Sequence, residues 1–459
     1  MVARTLGLVL AFFALGITTR YLGPAEAGEY FTVLAYVGMF SVFADLGLYQ
    51  TLVRDFSRPG ADERRILSSF FSLRLASLAL VLGIAAPLVV VFLPYSDTVK
   101  TGVWLGSALY ASLSLTTLCV AVFQKHLRMH VVAAGELVGR VAQLILTYAL
   151  LRAGYGMLAA LLAMLVGSAL HLAVVYVSAK KRVLFSFRFD AGAWAGIIRA
   201  SYPIALSAIF SFVYFKADSL MLSLFKPAHD VGVYGLAYKL LEVLVAYPAM
   251  YVGLLIPVFV RTYAENREEF FKILHKAFDG LAFIAIPMLV GGIMLAPRII
   301  PVFGDGYDGA VPTMQILLGA TFAIFFGTLY SNVLIATANQ KSLMRMYFAG
   351  MVFNIVINLY AIPRWSYIGA AWTTLATEAG VTIAMALALK RGGLLSTGFA
   401  RIPRMLFAAC CMALALAVSP WQSLPALLMA GVVIYTATSF LIRTFPFTET
   451  RSLLKSSNP

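Results

Sequence analysis

The chain has 459 residues, of which 61% are hydrophobic and only 12% are charged. A soluble domain carries about 25% charged residues, so this composition excludes a soluble protein and indicates many membrane spans. The formal net charge of +15 would suggest a nucleic-acid partner in a soluble protein. In a membrane protein, basic cytoplasmic loops explain it, and no nucleic-acid partner is expected.

Apolar segments of about 20 residues, the length that crosses a bilayer, occur fourteen times. The first follows Arg4 without a signal-peptide cleavage pattern, so we expect it to be a retained membrane helix. The predicted fold class is an all-α polytopic membrane protein. The predicted spans are about 2–20, 28–51, 67–93, 101–123, 132–151, 156–178, 201–224, 231–260, 277–296, 311–336, 345–362, 367–389, 403–419 and 423–442.

The loop charges indicate how the chain is oriented. With both termini in the cytoplasm, 25 of the 35 lysines and arginines fall in cytoplasmic segments and 6 in outer loops. Cytoplasmic loops of membrane proteins carry such an excess, and one missed span would break the alternation. We therefore predict a multi-pass protein of the inner (cytoplasmic) membrane with both termini in the cytoplasm. The four remaining cations lie inside spans: Arg74, Arg140, Lys216 and Lys239.

Two short patterns occur twice in the same order. Residues 20–30 and 224–234 each contain Pro-Ala and then Gly-x-Tyr, and residues 154–160 resemble 366–371. Repeats of this kind predict two six-helix lobes in parallel orientation with a substrate path between them, which is a transporter plan. The predicted domains are an N-terminal lobe at 1–180, a cytoplasmic linker at 181–200, a C-terminal lobe at 201–391, and helices 13 and 14 with a cytoplasmic tail at 392–459.

The hairpin 202–260 carries two lysines within its spans. Lys216 and Lys239 each lie eight residues from the predicted outer end, roughly 12 Å along a helix. A charge inside a span costs about 2.5–3.5 kcal/mol, and two cations at one depth suit an anionic group such as phosphate. Snorkelling to the headgroups is the alternative. Lys239 and Glu242 are three apart and can pair, whereas Lys216 and Asp218 point to different faces.

Other polar groups inside the spans have an ordinary and a functional interpretation. Glu136 and Arg140 are four apart and can pair, and Asp45 lies near an inner helix end where it can fix the loop. Arg74 lies about two turns into its span, and Glu378 is the most central carboxylate. Amides inside spans commonly form hydrogen bonds between helices, and here they are also candidates for sugar contacts. These amides are Asn332, Asn354 and Asn358.

Motifs for enzyme chemistry are missing from the sequence. It has no P-loop and no Gly-x-Ser-x-Gly elbow, and Cys119, Cys410 and Cys411 have neither disulfide nor metal spacing. We therefore expect no enzyme activity, no cofactor and no metal. A membrane glycosyltransferase or polymerase would need catalytic groups in a sizeable outer loop, and the outer loops are short.

Several short segments resemble the polysaccharide biosynthesis (Wzx-type) oligosaccharide flippases of the multidrug/oligosaccharidyl-lipid/polysaccharide (MOP) exporter superfamily. These segments are 20–30, 43–48, 215–218, 232–239 and 367–371. The resemblance covers about 1–395. It implies outward movement of a polyprenyl-pyrophosphate-linked oligosaccharide by alternating access, for surface polysaccharide or glycoconjugate assembly. The implied partners are this lipid-linked oligosaccharide, membrane lipids, and a polysaccharide polymerase or glycosyltransferases. Fourteen helices bring the chain nearer the lipid II flippase branch.

The resemblance also implies roles for the charged residues inside the spans. A cation-coupled multidrug exporter of the same superfamily is the alternative, although the cations favour an anionic substrate. Only Arg20 and Lys216 match family motifs; the others rest on their position in a span. The expected pyrophosphate-binding cations are Arg20, Arg74, Arg140, Lys216 and Lys239; the expected coupling or cavity carboxylates are Asp45, Asp218, Glu242 and Glu378; the expected sugar contacts are Asn332, Asn354 and Asn358.

Overall fold

The computed structural model describes residues 2–56, 62–126, 128–180, 187, 190–395, 401–420, 423–442 and 444. Within these ranges the chain forms fourteen α-helices and no strand. The helices are α1 (Val2–Asp45), α2 (Leu48–Phe56), α3 (Glu63–Leu78), α4 (Ala86–Val91), α5 (Asp97–Lys125), α6 (Met129–Arg152), α7 (Met157–Lys180), α8 (Ala191–Phe225), α9 (Ala228–Glu265), α10 (Arg267–Ile299), α11 (Ala310–Ala336), α12 (Gln340–Arg391), α13 (Ile402–Val418) and α14 (Leu424–Leu441).

The predicted all-helical membrane fold is confirmed. Ten helical stretches of the described chain are long and apolar enough to cross a bilayer. Two of them each contain two predicted spans, because α1 bends at Gly23 (φ 67°, ψ 174°) and α12 bends at Ser366 (φ 49°, ψ −133°). Pro24 directly follows the first bend and Pro363 lies three residues before the second, and proline cannot donate the helical hydrogen bond. Conversely, one predicted span is divided between α3 and α4 by the π-helical turn Ala79–Ala85.

Side chains at the helix starts show why several helices begin where they do. Asp62 accepts a hydrogen bond from the Arg65 N–H at 3.0 Å, and Ser96 accepts one from the Val99 N–H at 3.2 Å. Asp190 caps α8 in the same way, at 3.0 Å from the Ala193 nitrogen. Such caps satisfy backbone donors that have no partner within the helix. The Asp190 cap starts α8 inside the predicted linker 181–200, of which 181–186, 188 and 189 lie outside the described residues.

The chain divides into two compact units. The units follow packing rather than the sequence repeat, so the six-helix lobes at 1–180 and 201–391 remain a prediction. Unit 1 is Met1–Leu236, Val302–Asp308 and Asn354–Ala370; unit 2 is Ala237–Pro301, Gly309–Phe353 and Ala371–Pro459.

Small residues let helices approach closely within unit 1. A Cβ atom on Gly139 of α6 would lie 2.4 Å from the Gly167 carbonyl oxygen of α7, and one on Gly167 would lie 2.6 Å from the Gly139 carbonyl oxygen. Membrane helices associate through such small-residue contacts, because lipid supplies no hydrophobic force between them. At the predicted cytoplasmic end, the Trp194 indole N–H of α8 donates to the Ser72 hydroxyl of α3 at 3.3 Å. This bond fastens the start of α8 to α3.

Aromatic packing and an ion pair between α10 and the start of α13 join segments of unit 2. Phe278 packs on Phe326 with ring centroids 4.8 Å apart, and Phe283 packs on Tyr435 at 5.1 Å. Arg401 Nη1, just before α13, lies 3.1 Å from Asp279 Oδ2 of α10. The C-terminal helices are therefore attached to the body of unit 2.

Candidate functional site

Arg74, a predicted substrate cation, is buried against a predicted carboxylate. Its Nη2 lies 2.5 Å from Asp45 Oδ1, and its side chain is 0% exposed whereas that of Asp45 is 34% exposed. Arg74 Nη1 also reaches the Ala44 carbonyl oxygen at 3.5 Å, and the Ser77 hydroxyl donates to the same oxygen at 2.9 Å. The two residues come from α3 and α1, so this pair ties two spans together.

The backbone after Asp45 explains why its carboxylate stays at this depth. Leu46 (φ 51°) and Gly47 (φ 66°) form a left-handed turn, a conformation that favours glycine. A Cβ atom on Gly47 would lie 2.9 Å from the Ala205 nitrogen of α8. The turn is thus pressed against α8, and it ends α1 at Asp45.

Asp218, the predicted carboxylate of the hairpin, is buried and receives two donors. The Tyr234 hydroxyl donates to its Oδ2, and the Ser219 N–H donates to its Oδ1 at 2.8 Å. Tyr234 is 0% exposed and is the tyrosine of the repeated Gly-x-Tyr pattern. The repeat marks this tyrosine at the start of a helix, but the sequence pattern gives no sign that its hydroxyl binds Asp218. Lys216 lies half-buried on the same helix.

The remaining cations of unit 1 differ in their surroundings. Arg140 Nη1 lies 3.5 Å from Gln143 Oε1, and the structure records no ion pair between Arg140 and Glu136, both of which it describes. Arg20 is exposed, and a Cβ atom on Gly304 would lie 3.0 Å from the Arg20 Cα atom. Four of the five predicted cations, all except Lys239, therefore belong to unit 1.

In unit 2, Lys239 Nζ lies 2.7 Å from Glu242 Oε2, and both side chains are about a third exposed, at 35% and 33%. This is the pairing that their spacing allows. Glu378 is buried beside Thr374 and Thr377.

The predicted sugar-contacting amides bond to nearby groups of their own helix. The Asn358 amide donates to Asn354 Oδ1 at 3.1 Å, and both side chains are buried. Asn332 of unit 2 donates to the Thr328 carbonyl oxygen at 2.7 Å. Their sugar-binding role stays a prediction.

Unit 1 also brings together four turns that the predicted topology places at the outer surface. We call residues 23–28, 227–232, 304–307 and 363–366 the outer cap. Its centre is a contact between the two repeat turns. A Cβ atom on Gly28 would lie 1.7 Å from the Ala228 carbonyl oxygen, and one on Gly232 would lie 1.8 Å from the Pro24 carbonyl oxygen. The contact is reciprocal, and only glycine leaves room for it.

Hydrogen bonds attach the turn at 363–366 to this centre and the turn at 304–307 to α1. Lys226 Nζ donates to the Pro363 carbonyl oxygen at 2.9 Å, and the Ser366 hydroxyl donates to Asp230 Oδ2. The buried Tyr307 hydroxyl donates to the Thr19 carbonyl oxygen at 3.2 Å. At the predicted outer end of unit 1, segments far apart in sequence are therefore joined by backbone packing and hydrogen bonds.

Fourteen described helices, charged groups inside the spans and a repeated turn that packs on its own copy define a multi-pass membrane transporter. The chain belongs to the polysaccharide biosynthesis protein family, whose model matches residues 1–263, more than half of its length. A second model, MatE, matches residues 203–360. The predicted membership of the MOP superfamily is confirmed.

Individual relatives agree with this family. The chain is 22% identical over 386 residues to the probable low-salt glycan biosynthesis flippase Agl15 of Haloferax volcanii, covering 81% of this chain and 78% of that protein. Its fold matches the lipid II flippase MurJ in an inward closed conformation, with a TM-score of 0.79, 16% identity and coverage of 96% and 98%. An inward-facing multidrug transporter of the MOP superfamily matches with a TM-score of 0.67, 14% identity and coverage of 84% and 96%.

Proposed function

We propose that this protein is a flippase of the cytoplasmic membrane that carries a polyprenyl-pyrophosphate-linked oligosaccharide outward by alternating access, for surface polysaccharide or glycoconjugate assembly. The family match, the glycan-biosynthesis flippase and the lipid II flippase all support movement of a lipid-linked glycan. The excess of basic residues in alternate loops supports cytoplasmic termini. In this proposal, the glycan reaches the outer surface, where a polymerase or transferase consumes it.

The observation that carries the proposal is the outer cap of unit 1. Two copies of one sequence repeat meet there backbone to backbone, at Gly28 and Gly232. In alternating access, the path is closed at one end in each of the two states. Contacts between the two repeats can form such a closed end. In the outward-open state, these two turns part and release the glycan.

The cations supply the affinity for the pyrophosphate. Lys216 and Arg140 are half-buried, and Arg20 is exposed beside the outer cap. Positive charge at an intramembrane site usually marks a substrate path. Arg74 is held by Asp45, so its contribution to substrate is weaker than that of Lys216.

The test is the fate of the lipid-linked glycan in cells that lack the gene. We expect the glycan to accumulate on the cytoplasmic face after deletion, and the native gene to reverse this. Lys216→Ala and Lys239→Ala are expected to restore transport poorly, whereas Lys216→Arg, which keeps the charge, restores most of it. An unchanged cytoplasmic pool after deletion, together with full complementation by both alanine variants, would contradict the proposal.

A multidrug exporter is the second candidate, because the MatE model matches residues 203–360. That function predicts that deletion sensitises cells to cationic drugs and leaves the lipid-linked glycan unchanged. The two measurements on one deletion strain therefore separate the two functions.

A further inference from the structure

The described part of unit 2 contains a cavity of about 740 Å³ between two stretches of α12. One wall comes from residues 342–353 and the other from residues 376–391. Glu378 lies within the second stretch but does not line the cavity, and none of the lining residues is assigned to the glycan path, so the cavity calls for its own explanation.

The second wall is a straight trough of small side chains. Ala376, Gly380, Ala384 and Ala388 line the cavity, and their spacing of four residues places them on one face of the helix. A Cβ atom on Gly380 would meet no atom within 4 Å. The trough is therefore open, with the apolar surface that a hydrocarbon chain prefers.

The charges of the cavity are of one sign. Arg345 and Arg391 both line it, and the lining includes no aspartate or glutamate. Across the described residues, neither guanidinium has an ion-pair or hydrogen-bond partner. Arg345 lies near the start of α12 at Gln340, and Arg391 ends it, so the predicted topology places both at the cytoplasmic headgroup level.

We propose that this cavity is a binding site for an anionic phospholipid of the cytoplasmic leaflet whose headgroup carries two phosphates. Basic pockets between membrane helices on the cytoplasmic side bind such headgroups. Guanidinium groups bind phosphate in bidentate fashion, and two of them without a carboxylate match two negative charges. One acyl chain of the lipid lies along the trough beside Gly380.

The experiment offers lipids to the purified full-length protein and counts the bound molecules by native mass spectrometry. The probes are diphosphatidylglycerol, phosphatidylglycerol and a polyprenyl phosphate. We expect diphosphatidylglycerol to bind most tightly. Replacing one arginine, in Arg345→Gln or Arg391→Gln, is expected to weaken binding about fivefold, and replacing both about thirtyfold.

Matched variants test the charge and the trough separately. Lys341→Gln with Lys390→Gln removes the same charge from neighbouring positions that do not line the cavity, and it is expected to leave binding within about twofold. Gly380→Leu fills the trough and is expected to weaken binding. Gly253→Leu adds the same side chain at another open helical glycine of unit 2 and is expected to preserve binding.

Three results would overturn the proposal: tighter binding of the polyprenyl phosphate, equal binding of all three lipids, or equal loss in the lysine and arginine double variants. The first result would assign the cavity to the carrier lipid. Either of the other two would show that surface charge alone attracts the lipids to the protein. None of these results would contradict transport of a lipid-linked glycan, which the deletion experiment tests independently.

Discussion

At the scale of single residues, spacing along one helix shows which residues can pair but not whether they do, and it says nothing of pairs between helices. Glu136 and Arg140 have such a spacing, yet the structure records no ion pair between them. Lys239 and Glu242 pair as their spacing allows, because positions three apart share a helix face. Arg74 and Asp45 belong to different spans, and no sequence period relates them. The partner of Asp218 was missed for the same reason, since Tyr234 lies across the hairpin turn.

The Arg74–Asp45 pair is expected to matter for stability. Asp45→Ala leaves a buried guanidinium without its carboxylate, which costs roughly 3 kcal/mol of unfolding free energy, at the lower end for buried pairs because Asp45 is partly exposed. Thermal unfolding of the detergent-solubilised protein measures the loss.

Glu268→Ala is the matched control for this change. Glu268 also pairs with a cation, Lys272, at 2.6 Å, but both side chains are largely exposed, so no measurable change is expected. A loss of the same size in both variants would show that the burial of Arg74 does not determine the cost.

At the scale of helices, the existence of the spans followed from the length of their apolar segments, and their crossings did not. The sequence predicted turns near Gly23 and Ser366, and the backbone is non-helical at both residues, so each of them joins two helical segments. The start of α8 at Ala191 follows from the Asp190 cap. The crossing at Gly139 and Gly167 depends on which face of α6 packs against which face of α7. In helices that are apolar on all sides, no periodic pattern in the sequence marks the packed face.

The α6–α7 crossing gives a prediction at this scale. In Gly139→Ala the added methyl group would lie 2.4 Å from the Gly167 carbonyl oxygen, so the helices must separate, at a cost of about 1–3 kcal/mol. Gly83→Ala is the control, because its methyl group would lie 3.9 Å from the nearest atom. Equal thermal unfolding of the two variants would show that the close crossing does not contribute to stability.

At the scale of the whole molecule, the repeat was predicted from sequence and its consequence was not. The two Pro-Ala/Gly-x-Tyr turns can be recognised as copies from the sequence. The repeat does not show, however, that the two copies pack on each other. The structure adds the turns at 304–307 and 363–366 to the same outer cap. The contact between the two copies at Gly28 and Gly232 is therefore seen only in the structure.

Opening of the outer cap can be forced by one methyl group. Gly28→Ala would place a methyl carbon 1.7 Å from the Ala228 carbonyl oxygen, so it is expected to favour the open state. The reporter is Ala27→Cys in a cysteine-free background, because the Ala27 side chain is 0% exposed. When Gly28→Ala is added, labelling of this cysteine by a membrane-impermeant thiol reagent applied from outside is expected to rise.

Gly16→Ala is the control in the same helix, since its methyl group would lie 3.9 Å from its nearest neighbours on Phe303. Labelling of Ala27→Cys is expected to stay low in this variant. Equal labelling in the Gly28 and Gly16 variants would argue against a cap that opens.

The most direct test of the central claim is transfer of a fluorescent polyprenyl-pyrophosphate oligosaccharide across proteoliposome membranes, with and without a bridge between the loop before α5 and the end of α8. Tyr95 and Ser223, whose hydroxyls lie 2.8 Å apart, provide the bridge when both are replaced by cysteine in a cysteine-free chain and joined by a short bis-thiol reagent. We predict protein-dependent transfer that the bridge stops, while each single-cysteine variant treated alike stays active. Transfer no faster than in protein-free vesicles, or equally fast with the bridge in place, would contradict the account.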